Sequence, residues 1–304
     1  MKDIDWIAAD WGTSNLRVWG LNRECQVIAE RSSDQGMAKL DRSGFEPALL
    51  TLTNDWLPQN RQTPVVCCGM VGARQGWIEV PYRQVPCKPV GFDAVGRPGT
   101  RDPRLRVFIL SGVKQTGPAP DVMRGEETQI AGIISDDPQF AGVLCLPGTH
   151  TKWVRVDKGE IVRFRTFMTG ELFSLLSAHS VLRHSLDGTG ADGNEFAASV
   201  EAMAAQPAQL AARLFSIRAQ SLVSELSPAA AKARLSGLLI GAELAAARDD
   251  WSGQALTIVG NGPQAELYAR ALRGLGQEPR MVDASHVTLT GLKSAYLEIA
   301  KEFS

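Results

Sequence analysis

One short turn occurs twice in this chain, near residue 12 and near residue 148, and each copy interrupts a run of strand-forming residues. The first, Asp10-Trp11-Gly12-Thr13-Ser14-Asn15, lies between WIAAD and LRVWGLN. The second, Pro147-Gly148-Thr149-His150-Thr151-Lys152, lies between GVLCL and the strand-like WVRVD. Short β-rich runs on either side of a Gly, Thr, Ser or Asn turn make a hairpin. One such hairpin is commonplace, but two, each opening half of the chain, predict a coarse duplication. Each half then mixes strands with helices. The expected class is therefore α/β in two domains facing across a cleft, an N-terminal domain over 1–140 and a C-terminal domain over 141–304 that includes the terminal helix. A single doubly wound sheet is disfavoured, because its parallel strands need crossovers rather than hairpins.

Further strands are expected at PVVCCGM (64–70), GWIEVPY (76–82) and LRVFILSG (105–112), with loop over 86–104 and a helix from Glu126 to Ser135. Between Phe196 and Asp250 stand 17 alanines and few β-branched residues, interrupted by Pro207 and Pro228. Alanine favours helix and proline breaks it, so this stretch reads as a set of helices. A strand and loop at 255–262, a helix from Pro263, a strand at 279–284 and a terminal helix over 288–303 complete the chain.

Composition narrows the partners. With 32 basic and 33 acidic residues the net charge is −1, which excludes capture of nucleic acid or an anionic membrane as a main activity. No apolar run approaches the ~20 residues of a membrane span. The first residues, MKDIDWIAADWG, lack the basic-then-apolar pattern of a secretory leader, so a cytoplasmic location is expected. The five cysteines are scattered without a CxxC pair, which argues against a zinc site, and adjacent Cys67 and Cys68 read as buried thiols.

The chemistry concentrates in three glycine-bearing loops. Gly12 admits a ligand close to the backbone, and Thr13, Ser14 and Asn15 offer donors suited to phosphate oxygens, although the same residues also make an ordinary polar turn. Asp10, at the strand end, is a candidate to hold magnesium through water. Gly148, Thr149, His150, Thr151 and Lys152 repeat this composition, with His150 and Lys152 as further phosphate contacts. Gly260-Asn261-Gly262 follows a strand and precedes a helix, an arrangement that places backbone against a flat ligand. None of these is a GxxxxGK[ST] loop. Gly260-x-Gly262-x-x-Ala265 fits the looser dinucleotide pattern with Asp283 about 20 residues on, but too little chain follows it to build that sheet.

Three such loops in this order, DxGTSN-x-R, PGTHTK and VGNG, resemble the phosphate 1, phosphate 2 and adenosine loops of the acetate and sugar kinase, heat-shock chaperone and actin superfamily. More closely, ADWGTSNLRVW, GMVGARQGW, MRGEETQ, LPGTHTKW and VGNGP are similar to the family of 2-dehydro-3-deoxygalactonokinases. The resemblance implies two ribonuclease-H-like, actin-like ATPase domains and ATP with Mg2+ as cofactors. It implies transfer of the γ-phosphate to the terminal C6 hydroxyl of 2-dehydro-3-deoxy-D-galactonate in galactonate catabolism. It assigns Gly12 to Asn15, Gly148 to Lys152 and Gly260 to Gly262 to ATP, and an acidic residue at a helix start to the acceptor proton. Glu126 is favoured for that role, then Glu127, with Asp121 also open.

A substrate carboxylate beside a keto group calls for an arginine fork. Arg74 is the first candidate, with Trp77 as a wall for the sugar chain, and Arg17 and Arg124 are rivals. The alternative readings are a kinase for another 2-keto-3-deoxy sugar acid and a polyphosphate or nucleotide phosphatase on the same fold, for which the glutamate pair is equally apt. A nucleotide switch is disfavoured by the short loops. Substrate stereochemistry at C4 and oligomeric state stay open, a homodimer being one admissible state.

Overall fold

Two five-stranded sheets of one design organise the computed structural model, which describes residues 4–91, 94–117, 119–187, 190, 192–224 and 226–301. The chain divides into two units. Unit 1 takes Met1–Phe140, Asp157–Arg163 and Ala284–Ser304, and unit 2 takes Ala141–Val156 and Phe164–Asp283.

Unit 1 runs through β1 (Trp6–Trp11), β2 (Leu16–Leu21), β3 (Val27–Ser33), α1 (Phe45–Thr53), β4 (Thr63–Gly69), β5 (Arg83–Gln84), β6 (Leu105–Ile109), β7 (Val113–Gln115), β8 (Asp121–Met123) and α2 (Glu126–Asp136). Its main sheet has the order β3-β2-β1-β4-β6, antiparallel across β3, β2 and β1 and parallel across β1, β4 and β6. The nearly all-apolar β1 is central because both of its faces are covered. Ile7, Ala9 and Trp11 pack into one core with Phe45 and Leu49 of α1, while Trp6 and Ala8 point into a second. Strands β5, β7 and β8 form a separate small sheet.

Unit 2 repeats the plan with β9 (Gly142–Leu146), β10 (Thr151–Asp157), β11 (Glu160–Phe167, whose residues up to Arg163 are counted with unit 1), helices α3 (Thr169–His179), α4 (Gly193–Ala205), α5 (Leu210–Val223), α6 (Pro228–Ala246) and α7 (Arg248–Trp251), then β12 (Leu256–Val259), α8 (Pro263–Gly274) and β13 (Arg280–Val282). Its sheet order is β11-β10-β9-β12-β13, with β9 antiparallel to β10 and parallel to β12, and β12 parallel to β13. This order, a meander followed by two parallel strands, is that of a ribonuclease-H-like unit. Two of them make the α/β, actin-like ATPase class that the loops led us to expect.

Two expectations need correction, and one helix was not foreseen. The terminal helix, α9 (Ala284–Ala300), belongs to unit 1 rather than to the C-terminal domain. Leu292, Ala295 and Ile299 fill the second core of unit 1, and the Tyr296 ring stacks on Trp6 at 4.0 Å. GWIEVPY is not a strand: Trp77 N–H donates to Val71 O at 2.9 Å and Val80 N–H to Gly72 O at 3.0 Å, folding the segment back on the preceding turn instead of into a ladder. Helix α1, FEPALLTLT, was not expected from the sequence, because its proline and β-branched threonines weaken the helical signal. Burial of Phe45, Ala48, Leu49 and Leu52 against the sheet overrides them.

Helices α2 and α9 touch through two glycines. A Cβ on Gly132 would lie 1.9 Å from Val287 O, and one on Gly291 1.9 Å from Thr128 O, both backbone atoms. Gly291→Ala or Gly132→Ala should therefore destabilise the folded protein by roughly 2–3 kcal/mol or more, although alanine is the better helix former. Gly274→Ala, at a helical glycine with open space around its Cα, is the control and should be neutral or gain up to about 1 kcal/mol. Urea titration of the three variants checks this, and stabilisation at Gly291 would refute the close approach.

Candidate active site

In unit 1 the β1–β2 turn is fixed by its own backbone. Gly12 N–H donates to Asn15 O at 2.9 Å, and the segment that follows β3 closes over it, with Met37 N–H on Gly12 O at 3.0 Å and Ala38 N–H on Thr13 O at 2.9 Å. Thr13, Ser14 and Asn15 remain exposed, held in a preformed loop. Asp10 stands two residues before Gly12 on β1, opposite Arg17 in register, with the Cys68 thiol donating to its Oδ1 at 3.7 Å. Burial raises the Asp10 carboxyl above its ordinary value, the Arg17 charge opposes the rise, and Glu126 adds to it. Glu126 thus acts on the Asp10 carboxyl although 116 positions separate the two in the chain.

Gly125, with φ of 108°, turns the chain into α2, so that the first two helical residues are the glutamate pair. They differ sharply. Glu126 is half-buried and accepts Arg124 N–H at 3.0 Å. Glu127 is fully buried, accepting Gly125 N–H at 2.6 Å and the Thr128 hydroxyl at 3.1 Å. Burial, reinforced by the Glu126 charge, pushes the Glu127 carboxyl up to about 7. Asp121 lies on β8, paired in register with Gln115, rather than at the helix start.

The arginine candidates separate as clearly. Arg74 is exposed. Arg17 donates to Ser285 Oγ at 2.6 Å and lies 3.9 Å from Glu30. Arg124 is only 8% exposed, and its guanidinium lies 4.3 Å from the centre of the Tyr82 ring. Nη2 donates to Val80 O at 2.7 Å, whereas Nε and Nη1 have no partner. Trp77 does not form an open wall: it packs against Phe45 and Trp11 in the core, and its ring is covered.

In unit 2 the β9–β10 turn is anchored from α8 and α3. Gln264 Nε2 donates to Gly148 O at 2.8 Å, Glu171 N–H donates to Thr149 O at 2.9 Å, and the His150 ring meets the Glu171 carboxylate at 2.5 Å. Thr149 and His150 are exposed and Gly148 is half-buried. Thr151 and Lys152, expected among the phosphate contacts, are buried on β10, with the Thr151 hydroxyl bonded to Tyr268 OH at 2.8 Å. The alternation of a strand turns residue 151 inward as soon as β10 begins. Gly260 N–H donates to Val282 O at 2.8 Å, Asn261 bonds Asp283, and Gly262 precedes Pro263 at the start of α8.

A cavity of about 300 Å³ opens beside the turn, lined in part by Gly148, Thr149, Thr169, Gln264, Leu239 and Tyr268. Beneath it lies a polar cluster that reading the sequence missed. Glu243 of α6, 3% exposed, accepts Trp153 Nε1–H at 2.7 Å, Tyr268 O–H at 2.6 Å and the Thr169 hydroxyl. Burial raises its carboxyl and the donors oppose the rise. The available signal was a lone acid inside the apolar stretch LLIGAELAA. His179 and His184 lie in α3 and the short helix after it, and Asp192 caps α4.

Comparison with known proteins decides what this architecture is used for. A family model described as 2-keto-3-deoxy-galactonokinase matches residues 10–295. The chain belongs to the 2-keto-3-deoxy-galactonokinase family. It is 35% identical to the 2-dehydro-3-deoxygalactonokinase of Escherichia coli strain K12 over 291 residues, 95% of this chain and 96% of that one. A Rhizobium meliloti protein provisionally given the same name is 37% identical over 294 residues, 95% of each chain. The crystal structure of a Sinorhizobium meliloti protein, also provisionally so named, matches with a TM-score of 0.88 at 36% identity, covering 97% of this chain and 99% of that one. The chain is accordingly an ATP-dependent kinase of galactonate catabolism. No described helix is long and apolar enough to cross a membrane.

The buried glutamate yields a pH test. Its carboxyl is raised from 4.5 to about 7 in the folded protein, so the folded state keeps a proton that the unfolded chain releases. The stability this supplies is complete below pH 4.5 and is lost as pH rises to about 7, on the order of 3 kcal/mol. Glu127→Gln cannot ionise. Relative to wild type it should gain that amount between pH 4.5 and 8, measured by urea unfolding. A pH-independent difference would place the titrating group elsewhere.

Proposed function

We propose that this kinase transfers the γ-phosphate of ATP to the C6 hydroxyl of 2-dehydro-3-deoxy-D-galactonate in the cytoplasm, with Glu126 receiving the acceptor proton and Asp10 serving the metal. The observation that carries the reading is the approach of Gly125, at the start of α2, to Gly69 of β4, the register partner of Trp11, which brings Glu126 and Asp10 to one sheet edge beside the exposed Thr13-Ser14-Asn15 turn. Phosphoryl transfer is mostly positioning and charge neutralisation, and it needs donors for phosphate, a cation and an acceptor for one proton. Glu126 suits the last role because its carboxylate is partly accessible, whereas Glu127 is closed off and spends its oxygens on Gly125 and Thr128.

The donor set fits magnesium. That ion keeps much of its shell as water and phosphate oxygen and asks the protein for one or two carboxylates, which Asp10 can supply through water. When bound, it neutralises charge on the phosphates. On the nucleotide side, the preformed turns at Gly12–Asn15 and Gly148–His150, with Gly260-Asn261-Gly262 ahead of α8, present backbone and hydroxyl donors. Thr151 and Lys152 are buried on β10, with the Thr151 hydroxyl held by Tyr268.

For the substrate carboxylate the geometry favours Arg124 over Arg74. A guanidinium cannot shed its proton, so three N–H bonds on Nε and Nη1 without partners leave a buried charge that a carboxylate would compensate. An ion pair at exposed Arg74 would contribute little.

A coupled assay across 2-keto-3-deoxy sugar acids tests the substrate. Asp10→Asn should lower kcat by orders of magnitude with the fold intact, and Glu126→Gln should lower kcat while leaving both KM values near wild type. Full activity of Glu126→Gln would remove it as the base.

Arg124→Lys should lose about 10- to 150-fold in kcat/KM for the sugar acid, the equivalent of a charge-assisted hydrogen bond of roughly 1.5–3 kcal/mol. The neutral 3-deoxy-2-ketohexose of the same configuration should be phosphorylated equally by wild type and variant. An equal loss on both acceptors would indicate damage to the fold rather than a lost carboxylate contact.

A further inference from the structure

The buried carboxylate in unit 2 has no part in the chemistry proposed above, yet it joins every element around the 300 Å³ cavity. Glu243 sits on α6, Trp153 on β10, Thr169 at the start of α3 and Tyr268 on α8, and all three partners give their hydrogen bonds to one carboxylate. Tyrosine has a single proton to donate. With that proton on Glu243 at 2.6 Å, the 2.8 Å bond to Thr151 must run from the threonine hydroxyl to the tyrosine oxygen. The chain Thr151 to Tyr268 to Glu243 therefore has a fixed direction, and it begins immediately after the Gly148–His150 turn.

Helix α8 carries a second link to the same turn. Gln264 lies one turn before Tyr268, on the same helical face, and holds Gly148 O at 2.8 Å. The helix therefore grips the β9–β10 turn on both sides, at Gly148 and at Thr151, and α8 starts at the Gly260-Asn261-Gly262 loop. Burying a carboxylate costs stability, and an apolar residue of similar shape in its place is often neutral or stabilising. Core packing is thus a poor reason to have an acid here, whereas three converging directional bonds define a spacing.

We infer that Glu243 is a positioning residue for the nucleotide: through Tyr268 and Thr151 it sets the distance between the Gly148–His150 turn and the Gly260–Gly262 loop, and so the shape of the cavity that ATP enters. The inference rests on the assignment of these two loops to ATP. Glu243 acts through its partners and touches no reacting atom.

The test uses the full-length chain and a non-hydrolysable ATP analogue. In Tyr268→Phe the ring stays but both hydroxyl links are lost. In Glu243→Gln shape is kept, but one carboxylate oxygen becomes a donor facing donors. Thr151→Val breaks only the outermost link and covers the case in which a Glu243 variant fails to fold. Each should weaken analogue binding by calorimetry and raise the KM for ATP, by about tenfold or more for Tyr268→Phe and Glu243→Gln, which disturb a hydrogen bond to the carboxylate, and by about fivefold for Thr151→Val, which removes a neutral one. The sugar-acid KM, and kcat at saturating ATP, should stay within about threefold of wild type, in keeping with removal of binding alone.

Unchanged ATP affinity in Tyr268→Phe and Thr151→Val would overturn the inference. So would parallel losses for ATP and sugar acid accompanied by a fall in Tm, which would make the cluster merely structural. Wild-type protein that turns over sugar acid but binds the analogue away from unit 2, with no protection of residues 148–151 or 260–262 from hydrogen exchange, would remove the loop assignment and the inference together. Failure of the variants to respond, with those residues protected in wild type, removes the inference alone.

Discussion

Parallel pairing at the centre of each sheet is the constraint on which the site depends. Asp10 lies opposite Cys68 and Trp11 opposite Gly69 because β1 and β4 run the same way, so the turn after β1 and the turn after β4 leave the sheet at one edge. In unit 2, Cys145 pairs with Ile258 in the parallel β9–β12 ladder, which brings the Gly148 turn and the Gly260 loop to one edge in the same manner. Strand ends gathered in this way are where α/β proteins place ligands, since the loops there are free to vary while the ladder holds their origins. The antiparallel partner of each central strand serves a different purpose: it closes the tight turn that leaves the sheet at that edge.

Helix placement then decides which side chains arrive at that edge. Two glycines let α9 lie against α2 at backbone distance, and α2 begins with Glu126 and Glu127 beside β1 and β4. A single residue step along this helix start separates a partly accessible carboxylate from a sealed one. The same chemical group therefore meets two environments, distinguished by how much water reaches it.

Buried charge recurs at Glu127, Arg124 and Glu243, and the compensation differs at each. Glu127 holds backbone and hydroxyl donors and is pushed toward its neutral form. Glu243 collects three donors from three different elements. Arg124, always charged, has one carbonyl and one ring face and two nitrogens with nothing. An arginine so placed carries a standing cost that a substrate carboxylate would offset, and this distinguishes it from the many arginines at the surface.

Much was determined by the sequence itself: the two hairpins, the strands flanking them, the helix at Glu126 and the glycine loops, because alternation, turn residues and glycine act locally and leave their mark within a few positions. Thr13, Ser14, Asn15, Thr149 and His150 could be read as exposed loop donors for the same reason. What only the tertiary structure decided lay between residues distant in the chain. The terminal helix joined unit 1 because its apolar face fits the second core there, and Trp77 went into the core because Trp11 and Phe45 were waiting for it. The difference in exposure between Glu126 and Glu127, the seclusion of Arg124 against Tyr82 and the convergence of Trp153, Thr169 and Tyr268 on Glu243 all depend on burial. Burial is a property of the folded neighbourhood, and no local pattern of residues carries it.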